Sequence, residues 1–426
     1  MEDRSSNNNN IEEAEEQSYF TNSANSCSPP PPPAATAAND ADALGPLLQA
    51  MTLEEDERAT ERDELIKKAA IHVQQAQAQA QRKYANQKIA EAVEDCQKKH
   101  EDRRYVFVAD YSQNIELPFF GNSQPGDTYY FSHLKVNVFG VVDCCIPGGS
   151  LGAHVYHKGN GKKGGNNVAS LLMKEFQEKG LLRKDKRGKE LTILMDNCAG
   201  QNKNNMVLRL ALYLVEAEFF EKVSFAFYIV GHTKNACDRW FNTLKKQYRR
   251  SNIYTYNALL SSLDTHENIR VSNYKTGDFR DYDSFLNKFY KKLEGGSVAV
   301  NHIFTAQHDN PTRLLVKRDN IEGTVVTTQE LAKKLGGDNR KQLLRDYNIP
   351  VIPDPGIPEI KQVELYNKFR PLLPKEYQDM TCPHPGDAIL NKIKNERNEK
   401  ARYRASRKRK QKKNESPSPE KKQSLK

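Results

Sequence analysis

The chain has 426 residues, enough for two or three domains, and only 37% of them are hydrophobic, so part of it is expected to stay unfolded. Its formal net charge is +10. Residues 392–426 hold 15 Lys and Arg against 4 Glu, so this tail supplies the whole positive excess. Such a tail favours a nucleic acid or a nuclear import receptor as partner, the plain alternative being a solvated low-complexity end. No apolar stretch approaches the length of a membrane span, and no membrane association and no signal peptide are expected.

Seven cysteines are present, at 27, 96, 144, 145, 198, 237 and 382. No two have the spacing of a structural zinc site, so free thiols in a reducing compartment are expected.

Residues 1–52 contain the homopolymers Asn7–Asn10 and Pro29–Pro33 and read as disordered. Residues 53–103 are rich in Glu, Lys, Gln, Ala and Arg, and predict a helical extension. Ile66, Ala70, Val73, Ala80 and Tyr84 make a weak stripe along it, which leaves a homodimer open.

A third segment, 104–290, changes character. Tyr105–Ala109, Tyr129–Val142, Leu151–His157, Leu191–Met195 and Val223–Val230 read as strands. Asn167–Lys179, Asn205–Phe220 and Cys237–Tyr248 read as helices, with Gly180 as a C-cap. The order β-β-β-α-β-α-β-α predicts an α/β mixed sheet, a meander followed by parallel crossovers. Residues 250–290 look mostly helical. Residues 291–385 are expected as a small appended module, with strands at Val298–Phe304, Arg313–Val316 and Thr324–Thr327, a short helix over Gln329–Leu335 and extended chain over Pro350–Pro385. Residues 386–426 are expected as a disordered basic tail.

Three acids stand out. Asp110 and Asp196 each follow an apolar strand candidate, and Asp238 stands near the start of a helix after the last strong strand. Ligand sites in open α/β sheets lie at the carboxyl ends of strands. Three carboxylates converging there would suit Mg²⁺ or Mn²⁺, and a pair of such ions supports in-line phosphoryl displacement. Taken singly, Asp110 and Asp196 read as turn residues and Asp238 as a helix-dipole acid.

The loop Asn197–Asn205 follows Asp196. Asn197, Gln201, Asn202, Lys203 and Asn204 could contact phosphate at a helix N-terminus or orient the Asp196 carboxylate; alternatively Asn204 is a helix cap. In the second loop His232 could bind metal, support a metal ligand or protonate a leaving oxygen, or be a structural histidine. Lys234 and Arg239 could pair with phosphate or sit in solvent.

The block Asp196-Asn197-Cys198-Ala199-Gly200-Gln201-Asn202-Lys203-Asn204-Asn205, with Gly231-His232-Thr233 and Cys237-Asp238-Arg239, resembles a eukaryotic domain family of unknown function that looks transposon-derived. That family is similar to DDE-type transposases with an RNase H-like core. The likeness runs from about Tyr105 to Pro385 and includes Asp110-Tyr111-Ser112-Gln113, Lys361–Tyr366 and Arg370-Pro371. The resemblance implies an RNase H-like sheet carrying Asp110, Asp196 and Asp238. Ala199 stands where the family usually has Gly, and no Cys/His-rich DNA-binding module precedes the core.

The function expected first is therefore divalent-metal-dependent cleavage or strand transfer on DNA, with Asp110, Asp196, Asp238 and His232 at the site. The second is a catalytically inactive nucleic-acid-binding protein of the nucleus. An RNA substrate is the third, because no residue distinguishes RNA from DNA. The run Arg407-Lys408-Arg409-Lys410-Gln411-Lys412-Lys413 reads as a nuclear localisation signal. Ser416 and Ser418, each before a proline, are candidate phosphorylation sites whose charge would offset it.

Overall fold

A computed structural model of the protein describes residues 59–231, 234–264, 266–294, 296–334 and 339–415. The segment 1–52, Ser416 and Ser418 lie outside these residues. Arg409, Lys410, Lys412 and Lys413 are described as backbone only, while Arg407 and Lys408 are exposed on a helix. The chain divides into two units, Met1–Ala76 and Gln77–Lys426. In the first, the described residues are the opening turns of helix α1 (Ala59–Glu94).

Within the second unit, α1 buries Ala78, Gln81, Ala85 and Ala92, whose spacings of three, four and seven put them on one helical face. This is not the stripe the sequence suggests: Ile66 and Val73 are exposed. Small side chains let the helix lie close to its neighbours, while longer ones tie it to the sheet. Lys88 Nζ lies 3.1 Å from Glu190, and the Tyr84 hydroxyl bonds to Ser224.

The sheet has ten strands. In chain order they are β1 (Arg104–Tyr111), β2 (Ile115–Leu117), β3 (Leu134–Asp143), β4 (Ser150–His157), β5 (Gly188–Met195), β6 (Phe220–Phe227), β7 (Ile269–Asn273), β8 (Ile303–Gln307), β9 (Asn310–Lys317) and β10 (Val326–Glu330). Strands β1, β3 and β4 form an antiparallel meander. On its other edge β1 pairs in parallel with β5, and β5 in parallel with β6. These parallel steps need crossovers, supplied by helices α2 (Gly165–Glu178) and α3 (Asn205–Glu216). The expected α/β class, a mixed sheet flanked by helices, is what the protein has.

Side chains alternate across a strand, so the two faces can be told apart. Phe107 on β1 meets Phe176 of α2, which places α2 on the odd-numbered face of β1. The opposite face, carrying Val106, Val108 and Asp110, receives helix α4 (Ala236–Tyr248): Cys237 Sγ lies 3.3 Å from the Val108 carbonyl.

Several expected boundaries differ. Residues 303–330 are not an appended module, because β8 pairs with β6 and β9 with β8, so the sheet continues through them. Strands are expected here, and their half-polar composition disguises only that they belong to the main sheet. Gln329 and Glu330 belong to β10 rather than to a helix. Strand β7 interrupts the segment expected to be helical and pairs with β4. Helices at Glu359–Glu364 and Lys375–Thr381 replace expected extended chain; each begins directly after a proline, where the missing N–H costs nothing. The basic tail is a helix over Asp387–Glu415, in line with its Lys, Arg, Glu and Ala content. Among the described residues no helix is long and apolar enough to cross a membrane, and the cysteines are free thiols.

One close approach holds the outer meander to α2. Glu175 is fully buried, lies 2.9 Å from His154 Nε2 and is bonded by Arg270. Gly152 on β4 makes room for it, since a Cβ there would sit 2.8 Å from the Glu175 carboxyl carbon. Gly152→Ala is expected to lower unfolding stability by about 1–3 kcal/mol through overpacking against a held carboxylate. Denaturant unfolding checks this, and an unchanged midpoint would mean that Glu175 moves aside freely.

Candidate functional site

The parallel register of β1 with β5 pairs Ala109 with Met195. The next residue on each strand is an acid, so Asp110 and Asp196 stand side by side at the carboxyl ends of neighbouring strands. Both follow runs of buried apolar residues, Tyr105–Ala109 and Leu191–Met195, which fix the strands and leave the acids at the rim. Each is only partly exposed.

Helix α4 brings the third acid to the same face. Its apolar side, Cys237, Trp240 and Leu244, is buried. Gly140 on β3, opposite Asp110 in register, lets it approach: a Cβ at Gly140 would sit 2.6 Å from Phe241. Asn235 caps the helix and links two of the acids. Its side chain accepts from the Cys237 amide at 2.8 Å and donates to Asp110 Oδ2 at 3.1 Å, while its own amide donates to Asp238 Oδ2 at 2.9 Å. Asp238 is thus occupied in a capping box. Among the described residues no three His, Cys, Asp or Glu side chains are grouped to hold a metal ion together.

The acids are held by neutral donors. Asp110 Oδ1 accepts from the Tyr111 amide at 2.7 Å. Asp196 accepts from the Asn202 side chain and the Cys198 amide. Burial first, and then the facing Asp196 charge, push the Asp110 carboxyl from its ordinary 3.8 to about 6; Asp238 adds to this. Burial likewise raises Asp196.

The loop after Asp196 is built mostly for its own stability. The Cys198 carbonyl accepts from the amides of Gln201, Asn202 and Lys203. Asn204 caps α3, accepting from Met206 and Val207 at 3.1 Å and donating to the Gln201 carbonyl. Asn202 is buried and orients Asp196. Lys203 is also buried, donates to the Ala299 carbonyl at 3.0 Å, and is pushed down to about 8 by that burial. Lys203 and Asn204 are therefore not presented to a phosphate, and Asn202 reaches only the acid. Asn197 lies 3.5 Å from His302 Nε2, with His302 fixed through Nδ1 on the Arg318 carbonyl at 2.8 Å.

Of the second loop, His232 and Thr233 lie outside the described residues. Lys234 is exposed. Arg239 donates to the Gly148 carbonyl at 3.0 Å, near the carboxyl end of β3. That strand is antiparallel to β1, so Arg239 points to the end of the sheet remote from Asp110.

Two further residues belong to the site. In sequence Asn235 is merely part of a polar loop, although an Asn three residues before an acid is a capping signal. Lys163 feels the Asp110 charge, lies 4.7 Å from the centre of the Tyr111 ring, and is pushed down mainly by burial. Its signal is the basic, Gly-rich run before α2. A groove of about 200 Å³, lined by Tyr111, Gln113, Asp238, Phe241 and Tyr248, runs beside the acids.

A raised carboxyl pKa fixes the sign of a stability effect. The folded state holds the Asp110 proton more tightly than the unfolded chain, so stability falls as pH rises from about 4 through 6. Asp110→Asn should be more stable than wild type at pH 7 by up to about 3 kcal/mol, and the gap should close near pH 4. Denaturant unfolding at the two pH values reads this directly; a gap independent of pH would contradict the assignment.

Residues 127–322 match the model of a domain of unknown function, DUF7869. No curated protein and no solved structure matches the chain. The matched residues take in Asp196, Asp238 and strands β8 and β9 and begin after Asp110, so the similarity to this domain of unknown function covers the part of the sheet that holds two of the three acids.

Proposed function

We propose that the protein is a transposase-derived, divalent-metal-dependent enzyme of phosphodiester cleavage or strand transfer on DNA. The observation that carries the reading is the juxtaposition of Asp110 and Asp196 at adjacent strand ends, on the face that receives α4 and Asp238. The strand order β4-β3-β1-β5-β6, with β5 and β6 parallel to β1, supports the RNase H-like and DDE-type likeness.

The donor set fits Mg²⁺ or Mn²⁺ in part. Asp110 and Asp196 are hard oxygen ligands with no ammonium or guanidinium ion-paired to them among the described residues. Asp238 would join them only by leaving its cap. A bound ion would supply Lewis-acid stabilisation of phosphoryl oxygens and a more acidic water. The protein's own contribution is orientation: Asn202 and the Cys198 amide fix Asp196, and Asn235 and the Tyr111 amide fix Asp110. His232 remains a proposed proton donor, and Gln201, Lys234 and Asn197 proposed substrate contacts. RNA is an alternative substrate.

A second reading is a catalytically inactive, nuclear nucleic-acid-binding protein. The capping role of Asp238 favours it, as does the basic helix Asp387–Glu415 with its proposed localisation signal. Binding through that helix would fall steeply with salt.

Mn²⁺ titration and cleavage of linear duplex DNA separate the two. Wild type is expected to bind Mn²⁺ and cut. Asp110→Asn and Asp196→Asn should each lose about tenfold or more in Mn²⁺ affinity and nearly all cleavage. Equal Mn²⁺ binding and equal absence of cleavage in wild type and Asp196→Asn would remove the catalytic reading.

A further inference from the structure

The connection from β4 to α2 reads His157-Lys158-Gly159-Asn160-Gly161-Lys162-Lys163-Gly164-Gly165. It delivers the chain to the N-terminus of α2, a helix of 14 residues. The N-cap is Gly164, which has no side chain to accept from the first-turn amides. Such a terminus leaves N–H groups pointing outward and carries partial positive charge. The contrast with α3 is sharp, because Asn204 satisfies the amides there.

This terminus opens on a cavity of about 540 Å³. Lys162, Gly164 and Asn167 form one wall, and Ala199 and Gly200, from the turn after Asp196, form another. Phe279, Ile352 and Pro353 line an apolar side. Asp283 is the one acid on the wall.

The second observation is Asn167. Its residue is 7% exposed, yet among the described residues its carboxamide has no hydrogen-bond partner. Buried amides are ordinarily paired. Its neighbour Asn166 shows the ordinary state: Nδ2 donates to Asp281 and Oδ1 accepts from the Asp283 amide. Asn167 instead lines the cavity, with Nδ2 beside Gly161, where a Cβ would come within 3.0 Å of it. An amide donor left open to the cavity by a largely covered residue, beside uncapped helix amides and an exposed lysine, is a set that suits an anion's oxygens.

We propose that this cavity binds the phosphate of a nucleoside phosphate. The phosphate oxygens accept from the first amides of α2, from Asn167 Nδ2 and from the Lys162 ammonium. The nucleoside lies against Phe279, Ile352 and Pro353. The same chemistry arises from a free nucleotide or from the terminal phosphate of a nucleic-acid strand. The proposal does not need the acid pair: binding is expected without any divalent cation.

The test is titration of the full chain, in EDTA, with inorganic phosphate, adenosine monophosphate and a short phosphorylated oligothymidylate. Two variants accompany wild type. Gly164→Asp places a carboxylate in the phosphate's position, at a site where a Cβ meets nothing within 4 Å. Asp is also a favoured N-cap, so the helix should gain stability while binding is lost. Asn167→Leu removes the open amide. Wild type is expected to bind at least one probe, with affinity falling about tenfold or more in both variants. Adenosine monophosphate binding as well as the oligonucleotide would identify a free nucleotide; oligonucleotide binding alone, lost in Gly164→Asp, would identify a strand end. The proposal is overturned if wild type binds none of the three probes. It is equally overturned if both variants, folded by thermal unfolding, bind as wild type does, which would place any oligonucleotide affinity in the basic tail.

Discussion

The parallel pairing of β1 with β5 is the constraint on which the site depends. The pairing is set far from the acids, by two runs of apolar residues that are buried from Tyr105 to Ala109 and from Leu191 to Met195. A slip of one residue would turn every one of those side chains to the other face, so the register is strongly held. Because both runs end one residue before an acid, fixing the register fixes the carboxylates as neighbours. The core carries the cost of burying the Asp110 carboxylate and, after that, of facing it with Asp196, and both surface as the raised Asp110 carboxyl.

The attachment of α4 follows from the same sheet. Cys237 is fully buried against β1 and β3, its thiol 3.3 Å from the Val108 carbonyl, and Gly140 is the gap that admits Phe241. These contacts aim the helix N-terminus at Asp110, and Asn235 completes the link by bonding both to Asp110 and within its own cap. The third acid is therefore near the pair for two reasons at once. It serves the helix end, and it adds to the field at Asp110.

The sheet's central strands are legible in the sequence because short, unbroken runs of Val, Ile, Leu and Phe between turn residues suit a strand covered on both faces. Residues such as Thr305, Gln307 and Asn310 give β8 and β9 a mixed pattern that hides their membership of the same sheet. For β10 the expected strand Thr324–Thr327 stops short, because Val326–Glu330 lies exposed at the sheet edge and has no buried face to mark its bounds. In the site, the two strand-end acids are legible from position alone. The fate of the polar loop is not: Asn202, Lys203 and Asn204 look equally available in sequence, and only packing decides that one orients an acid, one is buried and one caps a helix. The sequence leaves open whether the N-terminus of α3 faces an anion or is capped by Asn204; Asn204 caps it, and it is α2 that lacks a capping side chain.

The acid pair differs from most of the acids that hold the fold. Asp95 is held by Arg104 and Lys98, which keep its carboxyl far below the usual range. Glu216 is bonded by Arg340, and Glu175 by Arg270. Glu218 is lowered chiefly by Lys341, with Arg345 beside it. Most of these acids meet a guanidinium or an ammonium; Asp319, 4% exposed, is the exception, held by the Gln77 side chain, the Ile321 amide and the Thr324 hydroxyl. At Asp110 and Asp196 the donors are amides, and Lys163, which feels the Asp110 charge, is itself partly desolvated. Two carboxylates oriented by amides and not neutralised by a cation are what the proposed Mg²⁺ or Mn²⁺ site would require.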